Sequence, residues 1–445
     1  NMSLPDWRLE KIKKDLDFAK KQIENLFLET PKKQFIKAFN LTNKKTVKEK
    51  MGNYNMKNIE KVKGFRDIFA PESLMREKII GIMQNKAKLF GFMPAETPTI
   101  EYDDLLKGDN ENDEAVSDRF RLKDKGLRDL GLRFEFTVQL SRILKEFPNS
   151  KLPWRRYQFG SVFRDEPIRP DRFREFSQFD VDILGDSTIN ADAECIAFAK
   201  SVMDELKLKA ELRVNNRKLL NSILTKSEVN KNQQQVLREI DKLDKLPKKE
   251  IEQNLRKILS ADSVKKLFPL LRKDLDYFIK NNFSGAEEIK ELETLGKSYG
   301  FQIKFMPTLM RGFSYYTGNV FEIWSKDKNA ALAGGGRYDD KVGKYINRKI
   351  PAVGISFGTL IDYDGIDVMD SATEFLVVSL NQDKEAIKLA QKIRSKGKSV
   401  IIYYGKPSKA LKYANAHFIQ NAVFVGNKEI KSGKIKVRNL KTGKE

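Results

Sequence analysis

Histidine and cysteine are almost missing. The 445-residue chain has one of each, His417 and Cys195. A lone cysteine cannot form an intrachain disulfide, which fits a reducing, cytoplasmic setting. So few thiol and imidazole groups all but exclude a zinc site and a Ser-His or Cys-His triad. No zinc is expected, nor any protein metal site. No apolar run approaches the roughly 20 residues of a membrane span, and the charged first ten residues carry no apolar segment of the secretory-signal kind. No membrane partner is expected. Any catalysis must rest on Arg, Glu, Asp, Tyr, Gln and backbone groups.

Positive charge is what abounds: 84 Lys+Arg stand against 62 Asp+Glu, a formal net charge of +22. One reading is plain solubility; the other is a polyanionic partner, nucleic acid above all. Charge alone does not choose between them. At 40% hydrophobic the chain can bury real cores, and its length suggests on the order of two to four domains.

The texture changes along the chain. Residues 1–56 are basic and helix-like, with Leu9, Ile12, Leu16, Ala19 and Ile23 on one face at helical spacing. They read as a helical extension, either packed or RNA-binding. From residue 57 an α+β region is expected: an amphipathic helix ending near Gly91, an extended stretch around Pro94 and Pro98, then strands at 128–140, 154–166 and 172–185, and a helix from Asn190. Residues 216–296 are Lys-rich, nearly glycine-free and helical in period, an inserted helical domain. Strands and glycines return over 297–369. From 370 to 445, apolar runs of strand length alternate with helical ones, which predicts a small α/β domain with a largely parallel sheet. Cys195 and His417 both read as structural residues.

Three stretches carry candidate chemistry. In "FRDEPIRPDRFREFSQFDVD" (163–182), a hairpin would set Arg164, Arg174, Phe176, Gln178, Asp180 and Asp182 on one face, with Phe173, Phe179, Val181 and Ile183 on the other. That face is either a solvated salt-bridged surface or a large polar site, and its arginines favour an anionic ligand such as a phosphate chain. In "LRFEFTVQL" (132–140), alternation sets Arg133, Glu135 and Thr137 opposite Phe134, Phe136 and Val138; Glu135 and Thr137 could receive an ammonium group. "AGGGRYDDKV" (333–342) has three successive glycines, a flexible turn or a backbone brought close to a ligand. "RGFSYYTGNVFE" (311–322) reads as an aromatic hairpin.

Taken together these stretches resemble the histidyl-tRNA synthetase family. Residues 311–322 and Gly334-Gly-Gly-Arg-Tyr-Asp339 look like its two histidine-specific signatures. Phe163-Arg164…Glu166…Arg172-Phe173-Arg174…Phe176…Gln178 resembles motif 2 of class II synthetases, Pro98 after a long helix resembles the dimer-forming motif 1, and the last domain is similar to the family's anticodon-binding domain. The likeness runs from about residue 60 to the end, in order and spacing; residues 1–56 and most of the insertion do not share it. It implies a class II antiparallel-sheet catalytic domain with a helical insertion, an α/β anticodon-binding domain, and a homodimer. The implied substrates are histidine, ATP with Mg²⁺, and tRNA. Carried over, Arg164 and Arg311 are catalytic, holding the α-phosphate from two sides. Glu166 reads the adenine amino group and Phe176 stacks on the ring, while Arg172 and Arg174 lie near the phosphate tail. Glu135, Thr137 and Gln178 match the positions that take the α-ammonium group. Asp182 and Tyr316 match those that bracket the imidazole, and Tyr338 with the backbone of Gly334 and Gly335 closes the pocket. Tyr315 is expected to pack the core.

Three positions depart from the pattern. Ile361 stands where motif 3 usually ends in an arginine that covers the adenine, as in some archaeal-like members, and Arg172 is the candidate to take its place. Ser314 stands where many members have aspartate, and Asp182 where glutamate is commoner. A histidine-sensing regulator and a silent tRNA-binding module remain as alternatives. The regulators typically lack the anticodon-binding domain and the full motif 2 arginine set, and this chain has both.

Overall fold

The computed structural model describes residues 60–108, 114–168, 172–244, 246–310, 315–362, 373–433, 436–440 and 442. The extension at 1–56 and Arg311 therefore lie outside the described residues. Two compact units form, one spanning Lys61–Asp367 and the other including Val368–Glu445.

The first unit is built on strands β1 (Met93–Pro94), β2 (Ile100–Tyr102), β3 (Arg121–Lys123), β4 (Asp129–Leu132), β5 (Trp154–Phe163), β6 (Glu175–Leu184), β7 (Ala210–Asn216), β8 (Ile303–Phe305), β9 (Asn319–Ser325), β10 (Ala330–Arg337) and β11 (Ala352–Phe357). Eight of them make one sheet in the order β1-β5-β6-β11-β10-β9-β7-β8; β2, β4 and β3 make a smaller one. The large sheet is mixed: its interior pairs are antiparallel, and the end pairs β1·β5 and β7·β8 are parallel. The β5–β6 hairpin pairs without a break from Trp154↔Leu184 to Phe163↔Glu175.

Side-chain alternation splits this sheet into two faces. On one, Phe179, Val181 and Ile183 are fully buried. They pack with helices Glu72–Leu89 and Ile189–Glu205, which carry Met83, Phe198 and Cys195 into the same core. Phe198 anchors it, with ring centroids 5.7 Å from Phe92, 6.3 Å from Phe179 and 5.7 Å from Phe357. The other face is polar and holds the candidate site.

Residues between Arg217 and Ser298 are helical, as their period predicts, and their apolar residues join the same core rather than forming a separate one. The entry helix Arg217–Lys226 starts where the Asn216 side chain accepts from the Lys218 N–H at 2.8 Å.

The 132–140 segment differs from expectation. β4 stops at Leu132, residues 133–137 are irregular, and a helix runs Val138–Glu146. Residues 133–141 are all buried, so no solvent face exists to give alternation a meaning. The expected 311–322 hairpin also fails in its described part, since β9 begins only at Asn319 and pairs with β10.

In the second unit β12 (Phe375–Ser379), β13 (Val400–Tyr404) and β14 (Asn421–Val425) are parallel, and β15 (Val437–Asn439) is antiparallel to β14. Helices Asp383–Arg394 and Pro407–Ala416 connect the parallel strands. His417 lies against the Tyr413 ring at 4.2 Å, and Tyr413 against Tyr403 at 5.5 Å, with both tyrosines on the core.

Candidate active site

Hairpin register sets the floor of the site. Opposite residues of an antiparallel pair share a face, so Arg156, Gln158 and Gly160 of β5 join Asp182, Asp180 and Gln178 of β6. β11 adds Gly354 beside Asp182 and Ser356 beside Asp180; β10 adds Gly336 beside Gly354 and Gly334 beside Ser356. The triple glycine is therefore strand, not turn. A Cβ at Gly354 would overlap the Asp182 carboxylate, and one at Gly336 would stand 2.9 Å from the Tyr316 ring. The missing side chains make room for an acid and an aromatic.

Asp182 sits at the centre of a buried network. Arg156, fully buried, lies 2.7 Å from its Oδ2. The Tyr338 hydroxyl donates to its Oδ1. Arg156 donates to the Phe136 carbonyl at 3.0 Å and to Gln158 Oε1 at 3.3 Å. Burial pushes the Asp182 carboxyl up while Arg156 pulls it back. Asp180 is raised to about 7 by burial and by its neighbour Asp182. The Gln178 amide N–H₂ donates to Asp180 at 3.0 and 3.1 Å, which turns the amide oxygen of Gln178 the other way.

The irregular 133–137 segment is fastened to this floor. Arg133 donates to the Ser161 and Thr97 carbonyls at 2.8 and 2.7 Å. Glu135 accepts from the Thr137 and Val138 N–H groups at 2.8 and 2.5 Å, capping the Val138–Glu146 helix with its carboxylate. Tyr315 hydrogen-bonds the Thr137 side chain and is pushed well up by burial, with Tyr316, Glu135 and Asp180 as charged or ionisable neighbours. Its ring is 4.9 Å from Tyr316 and 5.9 Å from Tyr338. Tyr315 packs against the small cluster behind the site, as expected, and also reaches the polar groups of the site, which was not expected. The two-residue period that assigned it to the core holds only in extended strand, and β9 has not yet begun.

Beyond the hairpin's paired end lie the other arginines. The Arg164 N–H donates to the Arg174 carbonyl at 2.9 Å. Its guanidinium lies 5.0 Å from the Phe176 ring centroid, reaches the Phe134 carbonyl at 3.3 Å, and stands 3.8 Å from Glu166. Arg172 pairs with Glu166 at 2.7 Å and Arg174 with Asp165 at 3.0 Å. Ile361 is fully buried in the main core, so its position presents nothing to the polar face.

Arg337 turns away from the pocket. It pairs with buried Asp192 and donates to the carbonyls of Asp186 and Thr188 at 3.0 and 2.7 Å, which fixes the segment leading to Tyr338. Asp192 is raised to about 6 by burial, against the pull of Arg337. Sequence reasoning gave Arg156, Ser356 and Tyr315 no role in the site, and placed Asp180 on the right face without one. Extending the two-residue period back along β5 in hairpin register finds Arg156.

A sheet of this order, floored by a motif 2 hairpin and followed by a separate α/β unit, defines a class II aminoacyl-tRNA synthetase. The histidyl-tRNA synthetase pattern matches residues 64–359, and an anticodon-binding-domain pattern matches 374–445. A histidine–tRNA ligase of Bacillus thuringiensis is 32% identical over 408 residues, 86% of this chain and 96% of the relative. One from Pyrobaculum arsenaticum is 28% identical over 401 residues, 85% and 94% of the two chains. The fold is similar to a histidyl-tRNA synthetase crystal structure from a Nostoc species (TM-score 0.77, 23% identity, 87% of this chain and 96% of that one). The chain belongs to the histidyl-tRNA synthetase family.

Proposed function

We infer that the chain joins histidine to tRNA, using ATP and passing through a histidyl-adenylate. The observation that carries this reading is the buried Arg156–Asp182–Tyr338 network beside Gln178, Asp180, Glu135 and Thr137: an excess of buried carboxylate, suited to a cationic, hydrogen-bonding amino acid. The substrate ammonium is taken by Glu135, Thr137 and the Gln178 amide oxygen. The imidazole lies between Asp182, Tyr316 and Tyr338, with Tyr315 beside it and the Gly334–Gly335 backbone as wall. A neutral imidazole has one N–H and one bare nitrogen. An amino acid lacking that pair leaves buried polar groups unpaired, which discriminates by on the order of 10⁴–10⁵ without editing.

ATP, as its Mg²⁺ complex, is a substrate. Its adenine meets Glu166 and the Phe176 ring, and its phosphates meet Arg164, Arg172 and Arg174. The histidine carboxylate attacks the α-phosphorus, and the bond to pyrophosphate breaks. Charge gathers on the equatorial oxygens, where Arg164 and Arg311 stabilise it. A hydroxyl of the tRNA terminal adenosine then attacks the adenylate carbonyl, and AMP leaves. Histidine-dependent ATP–pyrophosphate exchange tests the reading; purified protein without such exchange would overturn it.

The domain division proposed is a catalytic domain in two parts (57–215 and 297–369), a helical insertion (216–296), an anticodon-binding domain (370–445) and a basic extension (1–56). A homodimer and a cytoplasmic setting complete the reading. The dimer is supported by the exposed apolar side chains Phe69, Met93, Ile100 and Tyr102, of which Phe69 is 72% exposed. Light scattering is expected to give twice the mass of the 51.4 kDa chain; a monomer at micromolar concentration rules the dimer out.

A further inference from the structure

We propose that Arg156 is a positioning residue for histidine selection: it holds the Asp182 carboxylate anionic and fixed in orientation, so that this position accepts from an N–H and does not donate. The proposal rests on the reading of Asp182 as the carboxylate that faces the imidazole.

Arg156 is among the largest fully buried side chains of the described residues. A buried guanidinium is costly unless its charge and its donors are met. Here the charge is met by Asp182, directly across the β5–β6 ladder, at 2.7 Å. Nη2 donates to the Phe136 carbonyl at 3.0 Å, and Nη1 to Gln158, whose own amide donates to Thr97 Oγ1 at 2.8 Å. The cation is thus located by a loop carbonyl and by Gln158 of its own strand, not by Asp182 alone. It is a fixed point against which the carboxylate is set.

The groups facing Asp182 come from every element around it. Asp180 lies on its own strand and Glu135 on the 133–137 segment. Tyr338 follows β10 and β11 presents Gly354, which has no side chain, while Cys195 of the Ile189–Glu205 helix lies behind the sheet in the core. Burial and the Glu135 charge favour a neutral acid, while Arg156 and the Tyr338 hydroxyl bond favour the anion. A neutral Asp182 would carry an O–H. It would then meet the imidazole N–H donor to donor, and the selectivity of the pair would be lost.

The experiment measures exchange kinetics for Arg156→Met, Arg156→Lys, Asp182→Asn and the Arg156→Met/Asp182→Asn double variant, between about pH 7 and about pH 8.5. Arg156→Met is expected to raise the histidine KM about 10²-fold near pH 7, with kcat changed by less than about threefold. That KM should fall as pH rises, because without Arg156 the Asp182 carboxyl titrates at higher pH and its anion is the binding form. Arg156→Lys, which keeps the charge, should restore most of the loss. The double variant should lose the pH dependence. An unchanged KM in Arg156→Met, or a raised KM no more pH-dependent than the parent's, overturns the proposal, the second outcome marking a merely structural arginine. If Asp182→Asn leaves the histidine KM unchanged, the reading of Asp182 itself fails. If Asp182→Asn raises KM and Arg156→Met does not, only the role of Arg156 falls.

Discussion

Arg164→Gln is expected to lower the turnover of histidine-dependent ATP–pyrophosphate exchange by about 10²–10³-fold, with the histidine KM moved by less than about threefold. The arginines of this face differ in how firmly they are already engaged. Arg156 is enclosed by Asp182 and a carbonyl, Arg133 donates to two carbonyls at 2.8 and 2.7 Å, and Arg172 and Arg174 sit in ion pairs at 2.7 and 3.0 Å. Among the described residues the Arg164 guanidinium makes long contacts, 3.3 Å to a carbonyl, 3.8 Å to Glu166 and 5.0 Å to the Phe176 ring centroid, with 22% of its side chain exposed. Burial works against its charge, with Glu166 and Glu135 in partial support. A guanidinium with weak commitments and incomplete charge balance gains most when a phosphate arrives. Such donors often tighten only in the substrate complex. Glutamine keeps a donor but removes the charge. Turnover within about tenfold of the parent would show that the charge is not used in the transition state.

Gly354→Ala should raise the histidine KM by about 10²–10³-fold, through displacement of a buried carboxylate from its counter-charge. The added Cβ would overlap the Asp182 carboxylate and stand 2.8 Å from the Val181 carbonyl. Neither can yield cheaply. Asp182 is held by Arg156 and Tyr338, and the Val181 carbonyl belongs to a paired strand. Binding of ATP alone, measured by calorimetry, should be little changed, because the hairpin end that carries Glu166 and Phe176 lies several residues along β6. A histidine KM within about threefold of the parent would mean that Asp182 has another place to go.

Much of this was legible in the sequence, and the parts that were not share a physical cause. The β5–β6 hairpin was readable because one face is core and the other polar: Phe179, Val181 and Ile183 are fully buried, in step with the period-2 pattern. The 132–140 segment showed the same alternation and is not a strand. It is enclosed on every side, so its apolar and polar residues answer to different neighbours rather than to two faces. The cue to the helix start was Glu135 itself, an acid just ahead of the first turn. The two tyrosines were separated by a strand period applied before the strand begins. Arg156 needed strand pairing, a long-range fact that local pattern does not contain; once the register is known, it falls opposite Asp182.

The row Arg156, Asp182, Gly354, Gly336 crosses four neighbouring strands at one level of the sheet. What recognises the ligand is therefore an alignment between strands as much as a set of side chains. Length changes in the turn between Ser325 and Ala330 leave that level untouched. A single-residue deletion between Glu175 and Asp182 would turn the acid toward the core and bring Val181 to the polar face. The tolerance of this protein to insertion and deletion should thus follow the position of this row, residue by residue, rather than distance from the catalytic centre.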